Sequence, residues 1–487
     1  MVSGLDNAGP SVDAASGRAG ADAPKLGWRF PGCFWIANIA ELFERAAFYG
    51  MFIALAIYLT QEVKFTDVET GWVIAVFTFL LYLMPPFMGA LADALGFRAA
   101  LMAAFASLTA GYVLLGAMQH KWSACLALAF IAGGGAIVKP VILGTTAKCS
   151  DELNRARAFS IFYFMVNVGA FLGKTIAAPL RTGFNFPGIG HLEFGLVYIN
   201  YYAAAMAFCA LILVAIAYRS PDTAGTGKTI GELVQGFVRV LSNGRFMALI
   251  LIVAGFWLIQ GQLYASMPKY MIRLLGESAK PEWLANINPF VVVLCVVPIT
   301  HLVRTFKPQN SIGIALTIIP LSAICVAIAP LLQSKTGDSV SILGLFSLHP
   351  ITLMVIIGIA LQGFAECFLS PKFLEYASRQ APRGEEGLYM GFQNLSVALS
   401  WFVGFILSGY LLDAFCPDPT KLEQTNPAAF AQWKAAIERG GPMPEAYASA
   451  HVIWYVFAAV GVAALMALMI FNRVTSRADR MRETIEG

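Results

Sequence analysis

Near the N-terminus, Glu41-Leu-Phe-Glu44-Arg45-Ala-Ala-Phe48-Tyr49-Gly50 interrupts an otherwise apolar run. Spacings of three and four residues put Glu41, Glu44 and Arg45 on one helical face, and Tyr49 continues that face one turn later. Three further charges break apolar stretches: Lys139 after Gly133-Gly134-Gly135, Lys174, and Glu366 among Gly363, Phe364, Ala365 and Cys367. A charge at the centre of a membrane helix costs about 2.5–3.5 kcal/mol on insertion scales, so the first-helix face cannot look at lipid. Three acids thus face three bases. That balance suits pairing across a water-filled interior, where protonating one acid releases a base to receive an anionic group. A structural reading stands beside it: ion pairs that fix helix register, or stems that snorkel to the interface, the latter weighing most for Lys174. Bond-making chemistry finds no support. No Ser/His pair, HExxH helix or pair of aspartates has catalytic spacing, so the chain does not read as an enzyme. The eight cysteines are scattered singly without CxxC pairs or histidines at ligand spacing, so no metal site is expected.

The elements that position these charges follow from composition. A chain of 487 residues that is 58% hydrophobic and 13% charged, with mean hydropathy +0.68, exceeds what a water-soluble core can hide. The excess must face lipid. The formal net charge of +4 is too small for a nucleic-acid binder. A bilayer core about 30 Å thick needs about 20 apolar residues in helix. Twelve such runs are read at 32–60, 69–93, 98–118, 122–147, 156–178, 195–218, 246–274, 285–304, 310–332, 349–378, 385–414 and 448–472. An even count puts both termini on one side. The loops of that side gather Arg98, Arg155, Arg157, Arg219, Arg245, Arg304, Lys307 and Arg379, so the positive-inside rule predicts cytoplasmic termini and an external connection over 417–447. Residues 1–28 lack periodicity and read as a disordered tail. In 220–244, Ile230, Leu233, Val234, Phe237, Val238 and Leu241 recur at helical spacing, which predicts an amphipathic linker helix. The expected organisation is a six-helix bundle at 29–219, a linker at 220–245, a second bundle at 246–473 and a cytoplasmic tail at 474–487. An all-α membrane protein organised in this way resembles the major facilitator pattern, which implies a midplane site between the bundles.

Longer motifs sharpen the reading. The ExxER sequence at Glu41–Arg45 resembles the signature of the proton-dependent oligopeptide transporter family. Phe159-Ser-Ile-Phe-Tyr163-Phe-Met-Val-Asn167-Val-Gly169-Ala-Phe171 is similar to that family's fifth-helix signature, and Tyr82-Leu-Met-Pro85 with Gly89 and Asp93 resembles its second-helix signature. Phe256-Trp257-Leu-Ile-Gln-Gly-Gln262 fits its FWxxxxQ pattern, Asn288-Pro289 its eighth helix, and Glu366-Cys-Phe-Leu-Ser370-Pro371 its tenth. The matches run in chain order over most of the sequence. The resemblance implies proton coupling through Glu41, Glu44 and Arg45, with Lys139 pairing with the proton-responsive glutamates and Glu366 contacting the substrate amine or Lys139. It also implies a substrate site lined by Tyr49, Tyr82, Lys139, Tyr163, Asn167, Trp257, Gln262, Asn288, Glu366 and Ser370; Lys174, which the family pattern lacks, is added to that site as a candidate replacement cation. A zwitterionic peptide needs an anion for its ammonium, a cation for its carboxylate and polar groups for its amide, which these residue types supply.

Departures concern the cargo. Family peptide transporters carry an arginine after Tyr-Gly-Met, and here Phe52 holds that position; the Tyr-Tyr pair is Phe48-Tyr49, Val141 stands where Asn is general, and Lys174 is added. The expectation is therefore a monomeric, proton-coupled importer of di- or tripeptides or peptide-like solutes in a bacterial inner membrane, with the proton as coupling ion and no bound cofactor. A carrier of a non-peptide organic anion or amino-acid derivative, or a drug-proton antiporter, is the alternative. Mixed charges on separate helices favour alternating access over a channel.

Overall fold

A computed structural model describes residues 30–150, 154–186, 190–219, 230–342, 344–380, 389 and 392–486. The expected N-terminal tail and the start of the expected linker, 220–229, lie outside them. The first half comprises α1 (Gly32–Gln61), α2 (Asp67–Leu83), α3 (Pro85–Leu95), α4 (Phe97–Ala117), α5 (Lys121–Lys148), α6 (Arg155–Thr182) and α7 (Leu196–Ala217). The linker helix α8 (Ile230–Ser242) follows, with Val234, Val238 and Leu241 exposed along one side. The second half comprises α9 (Gly244–Gly261), α10 (Ser266–Leu275), α11 (Pro281–Leu284), α12 (Ile287–Leu302), α13 (Pro308–Ala327), α14 (Ala329–Thr336), α15 (Pro350–Gln380) and α16 (Asn394–Phe415). Two short helices, α17 (Pro419–Thr425) and α18 (Pro427–Arg439), then precede α19 (Val452–Glu486). The last helix runs on through the segment expected as a tail.

Eleven stretches of the described residues are long and apolar enough to cross a membrane, and α2 with α3 supplies the remaining span. The second span escapes a simple length criterion because Pro85 and Pro86 remove two backbone donors and divide it at Met84. Its start at Asp67 is fixed by a capping box between Thr66 and Glu69. The runs expected at 246–274 and 310–332 are likewise each two helices, whereas 285–304 is the single helix α12, preceded by the short α11. Between α9 and α10 the Met267 N–H donates to the Gln262 carbonyl at 2.9 Å, a widened turn that frees the intervening residues from the regular helix face. Two antiparallel hairpins, Phe184–Phe186 with Gly190–Leu192 and Val340–Ile342 with Phe346–Leu348, lie in connections. The membrane environment shows in side-chain placement: Phe130, Phe208, Ile216, Phe290, Val297 and Ile470 are exposed, whereas Glu41, Glu44 and Lys174 are buried.

Within the first half α1 packs on α6 and α7, and α4 on α5 and α7; within the second, α13 packs on α15 and α19, and α9 on α16 and α19. The halves meet where α2 crosses α16, α1 meets α10 and α6 meets α11. Close approach depends on glycine. A Cβ at Gly173 of α6 would run into the Ala46 carbonyl of α1, and one at Gly169 would lie 2.8 Å from the Arg45 Cβ. Small residues of this kind let membrane helices touch backbone to backbone. Gly173→Leu should therefore separate α1 from α6 and cost more than the ~1–3 kcal/mol usual for overpacking, because the obstacle is main chain. The expected readout is a lowered midpoint of thermal unfolding in detergent and loss of monodisperse protein.

Candidate functional site

Between the halves lies a cavity of about 350 Å³. Tyr49 from α1, Tyr82 from α2, Lys139 from α5, and Tyr163, Asn167 and Lys174 from α6 form one wall; Trp257, Asn288, Glu366 and Ser370 form the facing wall. Ten of the residues expected to bind substrate thus converge on one space. Gln262 does not. It is fully buried, where its amide donates to the carbonyls of Leu258 at 2.9 Å and Gly404 at 3.3 Å, tying α9 to α16. Gln260, two residues earlier, faces the cavity instead. Residues two apart on a helix are about 200° apart around its axis, so only one of the two can line it.

Glu41, Glu44 and Arg45 sit behind this wall and are absent from its lining. Both carboxylates are about 1% exposed. Glu44 makes a direct ion pair with Arg45, whose Nε lies 3.3 Å from Glu41. The guanidinium faces the rings of Phe48 at 5.4 Å and Tyr49 at 5.9 Å, so Tyr49 stands between the charged cluster and the cavity. Lys139 lies within electrostatic reach of all three charges yet makes no ion pair among the described residues. The expected Lys139–glutamate pair is therefore not closed in this conformation: Arg45, on the same helix, takes both carboxylates.

On the facing wall, the Gln260 amide donates to Glu366 Oε2 at 2.5 Å. The Asn288 amide stands beside Glu366, and the indole N–H of Trp257 is buried without a protein acceptor. Such a donor is costly to leave unpaired, which suits it to a polar solute. The Phe52 position, where the family resemblance called for a cation, is packed into an aromatic plug. Its ring lies 4.9 Å from that of Tyr264 and 5.6 Å from that of Trp401. Tyr264 and Trp401 also line the cavity, and neither was singled out by a sequence motif.

Beyond the plug, on the side away from α8, charged residues seal the halves together. Lys269 Nζ lies 2.7 Å from Asp67 Oδ1, and Arg273 Nη1 lies 2.9 Å from Asp67 Oδ2. Arg273 also reaches Asp418 at 2.8 Å and the Cys416 carbonyl at 2.6 Å. A second clasp joins Arg181 of α6 to Glu282 at 2.5 Å and to Glu277. Beside the first clasp, Cβ atoms at Gly71 or Gly409 would meet the opposing backbone within 2.6 Å, so α2 and α16 touch there. Asp418 lies in the connection after α16, outside the spans. Burial works to raise its carboxyl, but Arg273 and the bonds from Thr420 outweigh it and hold it below the ordinary carboxylate range. Its contribution is present above the unfolded value of about 3.9 and is lost as pH falls through the lower folded value. These clasps escaped the sequence reading because Asp67, Lys269 and Arg273 lie near span ends, where charge is ordinary. Lys269 and Arg273 at i,i+4 were the available signal.

Comparison with known proteins supplies the wider context. The Major Facilitator Superfamily pattern matches residues 37–338. A relative from Blochmanniella pennsylvanica called Multidrug resistance protein MdtH is 22% identical over 385 residues, 78% of this chain and 85% of its own length. The protein of that name from Salmonella arizonae is 24% identical over 75% of this chain and 82% of its own. Among solved structures, the POT family transporter PepTSo superimposes with TM-score 0.66 at 18% identity, over 92% of this chain and 99% of that one. The nucleoside transporter NupG gives TM-score 0.64 at 12% identity, over 90% and 99%. At these identities the structural likeness establishes the fold.

Proposed function

Because the chain belongs to the Major Facilitator Superfamily, a family of membrane transporters rather than enzymes, we propose that it imports a small peptide or peptide-like solute together with protons, by alternating access. The observation that carries this reading is the pairing of an interior cavity walled by Lys139, Lys174 and Glu366 with a buried cluster in which two carboxylates share one guanidinium. Two carboxylates directly paired with one guanidinium compete for it, and a proton on one of them relieves that competition. Binding or releasing that proton changes what Arg45 holds, and Tyr49 links the cluster to the solute. The sealed far side gives the other half of the cycle: opening there requires Asp67 to leave Lys269 and Arg273, which assigns solute access in the described state to the opposite side, that of α8. The positive-inside pattern makes that side the cytoplasm, with both termini there, in the inner membrane of a bacterium. A monomer with no bound cofactor suffices.

Glu366 faces the cavity opposite Lys139 and Lys174 and offers the anion for a substrate ammonium. Glu366→Gln should raise the KM for substrates with a free amine by about tenfold, while N-acetylated analogues change little. Competition of unlabelled analogues against a transported peptide in proteoliposomes checks this. A second reading, drug export in exchange for protons, is favoured by the names of the curated relatives, MdtH. It reverses the coupling: cargo added on the far side would drive protons out rather than in.

A further inference from the structure

We propose that Lys174 is the cation that receives the anionic end of the solute, so that the cavity takes molecules bearing a carboxylate or similar oxyanion. The assignment rests on the transport reading given above. Lys174 is 2% exposed, lines the cavity, and has no carboxylate partner among the described residues. Its Nζ donates to the Ala285 carbonyl at 3.2 Å and stands 5.5 Å from the Tyr49 ring and 5.8 Å from the Tyr264 ring. An ammonium has three donors and the Ala285 carbonyl takes one; the two rings attract its charge without accepting a hydrogen bond at these distances, so donors remain for an oxyanion. A buried cation without a counter-ion is costly, and an incoming carboxylate relieves that cost more than a neutral group does.

The other two cations answer to the glutamate cluster, although Lys139 also lines the cavity. Arg45 holds Glu41 and Glu44, and Lys139 lies within reach of that same cluster. Phe52 closes its position with aromatic surface. Lys174 shares the cavity with Glu366, which is fixed by Gln260 and acts on it electrostatically without an ion pair. A solute with an ammonium toward Glu366 and a carboxylate toward Lys174 satisfies both. The bond from Lys174 to Ala285 joins α6 of the first half to the turn between α11 and α12 of the second. A carboxylate that competes for this ammonium therefore acts directly on a contact between the halves.

The experiment measures binding of matched dipeptides, free acid against C-terminal amide, to purified wild type, Lys174→Met and Lys174→Arg, with proton-driven uptake in proteoliposomes recorded separately. The wild type should prefer the acid by about 10- to 100-fold, Lys174→Met should bring the ratio close to one by weakening the acid alone, and Lys174→Arg should keep most of it. A wild-type ratio near one overturns the assignment. So does an equal loss for acid and amide in Lys174→Met, which would make the residue a strut between the halves. An intact acid preference without proton-driven uptake supports Lys174 and counts against the coupling reading alone.

Discussion

Glu44→Gln should leave a protein that exchanges its solute across the membrane but no longer accumulates it. Glu44 and Glu41 are both buried against Arg45, with Glu44 in direct contact. Glutamine keeps the shape of the side chain and fixes it in a neutral form, so Arg45 faces Glu41 as a simple one-to-one pair. No second carboxylate then competes for Arg45 and no proton exchanges at position 44, so the cluster stops responding to the pH difference. One pH unit supplies about 1.4 kcal/mol per proton, or a tenfold concentration ratio for each proton coupled. The variant should show a ratio near one under that gradient, with counterflow of labelled solute largely retained because the cavity lining is untouched. Accumulation at the wild-type ratio would remove Glu44 from the coupling mechanism.

The second large effect belongs to the far-side clasp. Asp67→Asn leaves Lys269 and Arg273 buried with Asp418 as their remaining carboxylate partner. Removing one partner of a buried pair costs about 3–5 kcal/mol, much of it the desolvated charge left behind. That cost falls on the far-side-closed state alone, since the clasp must already be broken when the far side opens. At 1.4 kcal/mol per tenfold, the closed population should fall by about two to three orders of magnitude relative to the open one. Uptake should drop accordingly. A cysteine placed at Thr60, which lines the space beside Lys269 and Arg273, should react faster with a membrane-impermeant thiol reagent in a background without the native cysteines. Asp67→Glu, which preserves the charge, should retain much of the closed state. Normal uptake and unchanged reactivity in Asp67→Asn would show that the clasp does not govern opening.

The readable part of this molecule in its sequence was the part lipid constrains most severely. Apolar runs revealed the spans, and charges inside them pointed to the interior, because a carboxylate turned toward lipid is too costly for Glu41, Glu44 or Glu366 to stand there. The i,i+3 and i,i+4 spacing in α1 correctly joined Glu41, Glu44 and Arg45, since that geometry is local. Helix rotation was less legible. Gln262 carried the motif, yet the widened turn after α9 and the close approach at Gly404 bury it, and Gln260 lines the cavity. Tyr264 and Trp401 were lost in a composition with 13% aromatic residues, where no single ring stands out. The clasps on Asp67 and Arg181 depend on pairings between distant segments, and a charge at a helix end has too many ordinary reasons to be there. Lys139 shows the same limit from the other direction: its proximity to the glutamates was foreseeable, but Arg45 occupies them in the conformation described.

The most direct test of proton-coupled import is pH inside proteoliposomes challenged with a panel of di- and tripeptides, amino-acid conjugates and simple organic anions under an imposed gradient. Solute-dependent acidification of the lumen by peptides, abolished in Glu44→Gln, is the predicted result. Alkalinisation on addition of a solute outside, or no proton movement with any peptide while unrelated drugs drive exchange, would contradict it.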